Sequence, residues 1–370
     1  MPQLDGLRCL AASAVLVWHF APADAALNAA FAWGDAGVQL FFVLSGFLVT
    51  AIVLRSASAG GADRSLAGVT LRRFYVRRCL RIVPLYYGVL AVLLVLGVAP
   101  ARDGVLWHLT YTTNFYLAWL GEWPDHVFHF WTLAVEEQFY LLWPALLCFG
   151  PRRWLVPCCL LGMATAPLYR LAATVAGCAE TVIYVLPPAN VDTLAAGSLL
   201  AVLDHDPARA RARALLTRAG PVVGLPLLIV AVLLRNAGAP PLWHDSLWRG
   251  ALVLFYPWLV FGAARGFTGP AGALLSLRPI VYLGRISYGI YVYHVLAVPA
   301  VGWTLARAGL APVPPGGEVV LWTLATLVVC ALSWHLVEAP IARQRRRFPY
   351  PWAAEASAAG VGAVARVSGR

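Results

Sequence analysis

Arg8 and His19 are the first residues in the sequence whose types and spacing suggest chemistry. They stand eleven residues apart in the apolar segment Leu4–Phe20. On an α-helix this spacing is about three turns, so both side chains share one face, about 16 Å apart along the axis. Ionisable residues are costly in a membrane helix and usually have a function there. The alternative is an arginine that anchors the helix end and a histidine that is hydrogen-bonded to a neighbouring helix.

Two adjacent carboxylates, Glu136 and Glu137, interrupt the apolar segment Phe130–Pro144. Adjacent side chains on a helix point about 100° apart, so the two cannot face the same partner. A rise of about 1.5 Å per residue puts them about 8 Å inside the outer end, near the depth expected for His19. A carboxylate there would stabilise the imidazolium that forms when His19 deprotonates a hydroxyl. We expect one of the two, Glu137 rather than Glu136, to support His19.

Five arginines crowd the segment that precedes Pro84, which is more than membrane topology requires. Arg78 and Arg81 are one helical turn apart on the same face, an arrangement that suits phosphate oxygens. We assign both, with the adjacent Arg77, to the binding of an anionic donor. The alternative is that they only fix the orientation of the chain in the membrane.

The elements that carry these residues are membrane-length apolar segments. Hydrophobic residues make up 61% of the 370-residue chain and charged residues 12%, with a mean hydropathy of +0.72. This composition predicts an all-α, polytopic integral membrane helical bundle of about ten transmembrane helices. The expected spans are residues 4–22, 37–54, 82–98, 131–149, 154–170, 188–203, 221–234, 247–264, 280–303 and 319–337.

The distribution of arginine predicts the orientation of the bundle. With both termini in the cytoplasm, 23 of the 28 basic residues, all of them arginine, fall on the cytoplasmic side. This bias follows the positive-inside rule and requires an even number of spans. The net charge of +11 lies in short loops between apolar segments, so a nucleic-acid partner is not expected.

Cysteine usage and the two ends of the chain add further expectations. The seven cysteines lie mostly in apolar segments without CxxC or paired-histidine spacing, so neither disulfides nor a metal site are expected. The N-terminus lacks the pattern of a cleavable signal peptide, so the first helix should be retained. We expect a membrane domain over residues 1–342 and a flexible, Arg-rich cytoplasmic tail over residues 343–370.

Residues 99–130 form the longest outer connection and are rich in tryptophan and tyrosine. A segment of this kind fits an interfacial or re-entrant helix better than a full span. Its aromatic side chains could also line a sugar-binding cleft, because aromatic rings suit the apolar faces of sugars.

Four more residues are candidates for contact with a substrate. Ser45 precedes Gly46 in the second span, and small residues there permit close approach of either a helix or the donor. Asp192 begins the sixth span, and His294 lies in the ninth, where it either hydrogen-bonds within the bundle or contacts the acceptor. We assign Asp192, His294 and Tyr140 to acceptor binding, and Ser45 to donor binding.

Together these motifs resemble those of the acyltransferase 3 family of integral membrane O-acyltransferases. The resemblance extends in order from Leu4 to about Ala342, through LDGLRCLAASAVLVWHF, GVQLFFVLSGFLV, RRCLRIVP, FWTLAVEEQFYLLWP, DTLAAGSLLA, LGRISYGIYVYHV and SWHLVEAP. It implies a catalytic His19, an essential Arg8 and donor binding around Arg78 and Arg81. Asn190 stands where the family often has an arginine, which puts a charge pair at Asp192 in doubt.

The resemblance also implies a reaction and a location. The expected activity is transfer of a short acyl group, acetyl in the first place, from cytoplasmic acyl-CoA to a hydroxyl of a glycan, a lipid-linked sugar or a glycosylated metabolite. Acyl-CoA would be a co-substrate and not a tightly bound cofactor, and the protein would be multi-pass in the bacterial cytoplasmic (inner) membrane. No appended extracytoplasmic hydrolase-like domain is expected.

Two other classes of function are compatible with buried ionisable residues. A proton-coupled transporter or exporter could use histidine and carboxylates as a relay, although the sequence shows no internal repeat. An accessory subunit that only binds a glycan or a partner would not need an intramembrane acid and base.

Overall fold

The computed structural model describes residues 1–350, except 23, 24, 26, 27, 29, 60–63, 310–312, 314 and 315. All regular elements in this part of the chain are helical, as predicted. Most of the predicted tail, residues 351–370, lies outside the described residues.

The α-helices of the described ranges are numbered in chain order. They are α1 (Pro2–Phe20), α2 (Trp33–Ala59), α3 (Arg64–Val95), α4 (Ala99–Asp103), α5 (Val105–Leu109), α6 (Thr113–Leu120), α7 (Phe130–Phe149), α8 (Leu155–Val175), α9 (Glu180–Val185), α10 (Pro187–His205), α11 (Ala210–Ala219), α12 (Leu225–Asn236), α13 (Pro241–Arg265), α14 (Gly269–Leu275), α15 (Arg278–Arg285), α16 (Ser287–Arg307), α17 (Gly317–Ser333) and α18 (Ala339–Arg343). Short 3₁₀ or π segments connect several of them, including Gln344–Arg347 after α18.

Eight helical stretches of the described residues are long and apolar enough to cross a membrane. The other two predicted spans coincide with α1 and α7, which are 19 and 20 residues long. These two helices contain Arg8 and the Glu136–Glu137 pair, and such residues lower the mean hydropathy of a helix. A polytopic helical membrane protein is therefore confirmed, whereas the count of ten stays a prediction.

Helix α10 lies at the centre of the bundle. Its residues from Asp192 to Leu203 are all buried, and it packs chiefly against α2 and α8. Helix α2 in turn packs against α1. Glycines make the α2–α10 contact close: a Cβ atom on Gly46 would collide with the carbonyl oxygen of Leu194, and one on Gly197 with that of Val43. The interpretation of Gly46 as a helix-packing residue is thus supported.

The connection between α3 and α7 contains three short helices, α4 to α6, and no full span, as predicted. It covers the start of α7, where Val127 and Phe130 are 0% exposed. Tyr111 of this connection stacks on Tyr86 of α3, with ring centroids 4.3 Å apart. The start of α7 is therefore shielded by this connection.

The glycine contact between α2 and α10 gives a test of the packing. We expect Gly197→Ala to lower the melting temperature of the purified protein, because the new methyl group meets the backbone of α2 and cannot be relieved by a rotamer change. The cost should be about 1–3 kcal/mol. Gly88→Ala is the matched control, since a Cβ atom there meets nothing within 4 Å. Equal melting temperatures for the two variants would show that the helices do not approach this closely.

Candidate active site

A cavity of about 80 Å³ lies between α1, α2, α3, α7 and α16, and we call it the arginine cavity. Its polar lining consists of residues that the sequence analysis selected, together with two tyrosines, a serine and a threonine. They are Arg8, Ser45, Arg78, Arg81, Thr132, Glu136, Glu137, Tyr140, Ser287, Tyr288 and Tyr291.

Four of these side chains form one polar cluster. The Ser45 hydroxyl donates to Oε1 of Glu136 at 2.7 Å, and it is also 2.7 Å from the Tyr140 hydroxyl. The Arg78 guanidinium lies over the Tyr140 ring, 4.3 Å from its centroid. Ser45, Glu136 and Tyr140 are therefore held in one arrangement beside a cation. Oε1 of the neighbouring Glu137 is buried and has no hydrogen-bond partner among the described residues.

Arg81 differs from the other arginines of the cavity. Its guanidinium makes no hydrogen bond or ion pair with any described residue. It also lines a second cavity of about 120 Å³, which we call the arginine vestibule. Arg8 and Tyr288 line both spaces as well, so the vestibule adjoins the arginine cavity.

Arg77 lies apart from Arg78 and Arg81, although the three were predicted to bind one donor. Its guanidinium donates to the backbone carbonyl groups of Arg345 and Phe348, at 2.8 and 3.1 Å. It also lies over the Tyr350 ring, 4.7 Å from the centroid. Adjacent residues on a helix point about 100° apart, which explains the separation. Arg77 thus fastens the C-terminal segment to α3.

On the other side of the arginine cavity lies a larger space of about 960 Å³, the histidine cavity. His19 lines it, and the His19 ring contacts the rings of His294 and Phe128, with centroids 4.9 and 5.4 Å apart. His129 is 5.3 Å from His294, so three histidine rings adjoin one another. His19 is half-buried and makes no hydrogen bond with the described residues, which leaves both ring nitrogens accessible from the cavity.

His294 makes a hydrogen bond within the bundle, which was one of the two alternatives predicted for it. It is fully buried, and its Nδ1 is 2.7 Å from the carbonyl oxygen of Tyr291. Because a carbonyl only accepts, Nδ1 carries the proton and Nε2 is an acceptor, for which the described residues offer no donor. His294 does not line the histidine cavity, but it contacts the ring of His19, which does. Any effect of His294 on a substrate is therefore transmitted through His19.

The expected pairing of His19 with Glu136 or Glu137 is not what the structure shows. The glutamates line the arginine cavity with Arg78, whereas His19 lines the histidine cavity. Glu136 is instead bonded to Ser45, on the arginine side of the junction. Four other carboxylates share the histidine cavity with His19, namely Asp35, Asp125, Glu180 and Asp245.

Asp192 also differs from its prediction. Its carboxylate forms an ion pair with Arg170 of α8 at 2.8 Å and is almost completely buried. The doubt about a charge pair, raised by Asn190, was therefore wrong, because the arginine comes from a different helix. Asp192 does not line either large cavity, so its described contacts are structural.

Sequence reasoning missed the polar side of the histidine cavity. Asp35 accepts from Arg249 at 2.7 Å and from the Trp248 indole at 2.8 Å. Tyr184 donates to Asp245 at 2.8 Å. His129 was also missed, although the run from His126 to His129, just ahead of an apolar span, was a signal that could have been used.

The arginine and histidine cavities meet in the middle of the bundle. Val38, Thr132 and Tyr291 line both of them, and the Thr132 and Tyr291 hydroxyls are 2.6 Å apart at the junction. The shared residues therefore place the arginine vestibule, the arginine cavity and the histidine cavity next to one another, in that order. Such a row of cavities suits an anionic molecule held at one end and a reaction at the other. The described residues contain no group of three or more histidine, cysteine or acidic side chains that could hold a metal ion.

The chain is similar in sequence to proteins that are named as O-acetyltransferases. The chain is 29% identical to the peptidoglycan O-acetyltransferase OatA of Listeria monocytogenes, over 92% of this chain and 56% of that protein. It is 28% identical to the putative peptidoglycan O-acetyltransferase YrhL of Bacillus subtilis, over 93% of this chain and 55% of that protein. It is 22% identical to the O-acetyltransferase OatA of Staphylococcus aureus, over 93% of this chain and 57% of that protein.

The chain thus spans just over half the length of these curated relatives. No solved structure matches it. The model of a family described as an acyltransferase domain, Acyl_transf_3, matches residues 1–338. Because that match covers most of the 370 residues, the chain belongs to this acyltransferase family.

Proposed function

We propose that this protein is a membrane O-acyltransferase that moves a short acyl group, acetyl in the simplest case, from cytoplasmic acyl-CoA to a hydroxyl of a glycan. The observation that carries the proposal is the row of three adjoining cavities from the arginine vestibule to His19. It offers a charged donor and a neutral acceptor separate sites on the two sides of one junction. The arginine end faces the cytoplasm of a bacterial cell, in keeping with the positive-inside rule, and both termini lie on that side.

The donor enters through the arginine vestibule. Arg8, Arg78 and Arg81 provide positive charge for phosphate groups, and Arg81 has no protein partner to release first. His19 lies about 16 Å along α1 from Arg8. A long donor with phosphates at one end and a thioester at the other, such as acyl-CoA, spans this distance. Acyl-CoA acts as a co-substrate, bound and released in each cycle.

The acceptor occupies the histidine cavity. Its volume of about 960 Å³ is at the upper end of small-molecule sites and leaves room for a saccharide or a glycosylated small molecule. Trp18, Trp123 and Trp131 offer aromatic faces for sugar rings, while Asp35 and Asp245 offer carboxylate oxygens to sugar hydroxyls. The names of the Listeria and Bacillus relatives support a cell-wall glycan as the acceptor class.

In the proposed reaction, the acceptor oxygen attacks the thioester carbonyl carbon while His19 removes the hydroxyl proton. The carbon–sulfur bond then breaks, the acyl group stays on the acceptor, and the thiolate takes up a proton as CoA leaves. His294 and His129 pack behind His19 and fix the position of its ring. Glu136 and Glu137 do not assist His19 directly but balance the charge of Arg78 on the donor side.

The first test is transfer of radiolabelled acetyl from acetyl-CoA to peptidoglycan fragments by the purified protein in detergent. We expect His19→Ala to reduce transfer at least a hundredfold while CoA binding is retained, because His19 lies away from the arginines. His205→Ala, at the end of α10 and outside the cavities, should transfer normally. Near-normal transfer by His19→Ala would remove His19 as the base. Absence of both transfer and hydrolysis in the wild type would favour a transporter.

A second prediction separates direct transfer from an acyl-enzyme. Ser45 is the nucleophile that an intermediate would use, since its hydroxyl already donates to Glu136. We expect rapid-quench labelling with radioactive acetyl-CoA to leave no label on the protein, and Ser45→Ala to keep part of its turnover. Label on Ser45 that then passes to the acceptor would establish the acyl-enzyme route instead.

A third prediction concerns the donor arginines. Arg78→Lys and Arg81→Lys should each raise the KM for acetyl-CoA by about tenfold with a smaller effect on kcat, because lysine keeps the charge but loses the planar fork that matches phosphate oxygens. Arg72→Lys, on an exposed residue of the same helix, is the control. An unchanged KM at both cavity positions would make them topology anchors.

A further inference from the structure

The arginine vestibule has a wall that lies outside the family match. The vestibule as a whole is lined by four arginines and two acids, together with Tyr288, Trp334 and Ala342. The charged residues are Arg8, Arg81, Arg285, Arg345, Asp5 and Glu338. Arg345 belongs to the 3₁₀ segment Gln344–Arg347, beyond residue 338 where the family model ends. This wall is therefore a feature of the present chain that the family model does not describe.

Residues 344–350 form a strap that is fastened over the start of the donor path. Arg77 of α3 donates to the carbonyl groups of Arg345 and Phe348, and its guanidinium lies over the Tyr350 ring. Tyr350 is only 8% exposed and packs with α2, α3, α7 and α8 residues in one apolar cluster. Burial raises the pKa of the Tyr350 phenol, so this group stays neutral and does not act as a counter-anion.

The arginines in the strap and directly before it differ in their exposure. Arg345 is half-buried, whereas Arg343, Arg346 and Arg347 are exposed. Only Nε of Arg345 has a protein acceptor, the Ala342 carbonyl oxygen at 3.2 Å. The two terminal nitrogens of its guanidinium have no acceptor among the described residues, and they border the same space as Arg81.

The charges of the vestibule are not balanced by the described residues. Asp5 is already paired with Arg8 at 2.9 Å and lies 3.9 Å from Arg285. Glu338 accepts from Ser333 at 3.1 Å, and no described arginine lies within ion-pair distance of it, although the Arg81 charge acts on its carboxylate. Arg81 and Arg345 thus face one space with unused donors. Buried or half-buried cations of this kind require an anion, and two guanidinium groups fit a phosphate or pyrophosphate group.

We propose that Arg345, held by the strap, binds the phosphate groups of the donor together with Arg81. This inference rests on the proposed function, and it assigns the C-terminal segment to the donor site. The same chemistry would also bind the headgroup of an anionic lipid at the membrane surface, so the experiment includes both ligands.

The test measures binding of CoA, dephospho-CoA and pantetheine to the full-length protein in neutral detergent by titration calorimetry. We expect Arg345→Gln to raise the Kd of CoA about tenfold, since a charge-assisted hydrogen bond is lost. Pantetheine, which lacks phosphate, should bind the variant and the wild type equally. Tyr350→Ala should also weaken CoA binding because it loosens the strap, and the exposed Arg346→Gln is the matched control. A parallel titration uses phosphatidylglycerol.

The outcomes separate this inference from the proposed function. Wild-type CoA affinity in Arg345→Gln would overturn the inference, and acetyl transfer by that variant would show that the proposed function still stands. Loss of phosphatidylglycerol binding with unchanged CoA affinity would make Arg345 a lipid contact, which also overturns the inference. Selective loss of CoA affinity in a protein that transfers no acyl group would support the phosphate site and reject the proposed reaction.

Discussion

The presence of guanidinium groups inside an apolar helical bundle is the constraint on which the rest of the structure depends. A cation within a membrane-spanning domain must be paired, solvated or directed into a polar space. Arg78 meets this requirement through the ring of Tyr140 and the nearby Glu136, and these two also hold the hydroxyl of Ser45. Arg81 makes no hydrogen bond, ion pair or ring contact with the residues that the structure describes, and it borders both the arginine cavity and the vestibule. The arginine cavity and its vestibule are consequences of this requirement.

Helix α2 connects that cavity with the space around His19. Asp35, Val38 and Ser45 are separated by three and seven residues and therefore share one face of the helix. Asp35 lies in the histidine cavity, Val38 at the junction and Ser45 in the arginine cavity. Gly46 follows Ser45 and points about 100° away from it, and together with Gly197 of α10 it lets the two helices approach to backbone contact. The packing of these two glycines fixes how α2 lies against α10.

The sequence predicted the helical membrane fold and the separate roles of the two ends of α1, because length, hydropathy and the period of 3.6 are local properties. It also placed Ser45, Glu136, Tyr140, Arg78 and Arg81 among the site residues, which the structure brings together in one cavity. It failed where the answer depended on how helices are covered or rotated. Glu137, in preference to Glu136, was assigned to His19 because the rotation of a helix about its axis cannot be read from local sequence. The partner of Asp192 was missed because Arg170 lies on a different helix.

The arginine and histidine cavities share no charged side chain, and this affects how the products of the proposed reaction leave the protein. At the junction, the only polar side chains common to both cavities are the neutral hydroxyls of Thr132 and Tyr291, among the residues that the structure describes. An anion that enters from the vestibule meets arginines on one side and no further cation at the junction. In the proposed reaction, the CoA phosphates stay with Arg8, Arg78 and Arg81 on the near side of this junction after the thioester breaks. The arginines of the histidine cavity, Arg170, Arg235 and Arg249, lie on its far side, where Arg170 is paired with Asp192 and Arg249 with Asp35. The acylated glycan leaves through the wider histidine cavity, so the two products of the proposed reaction leave at opposite ends.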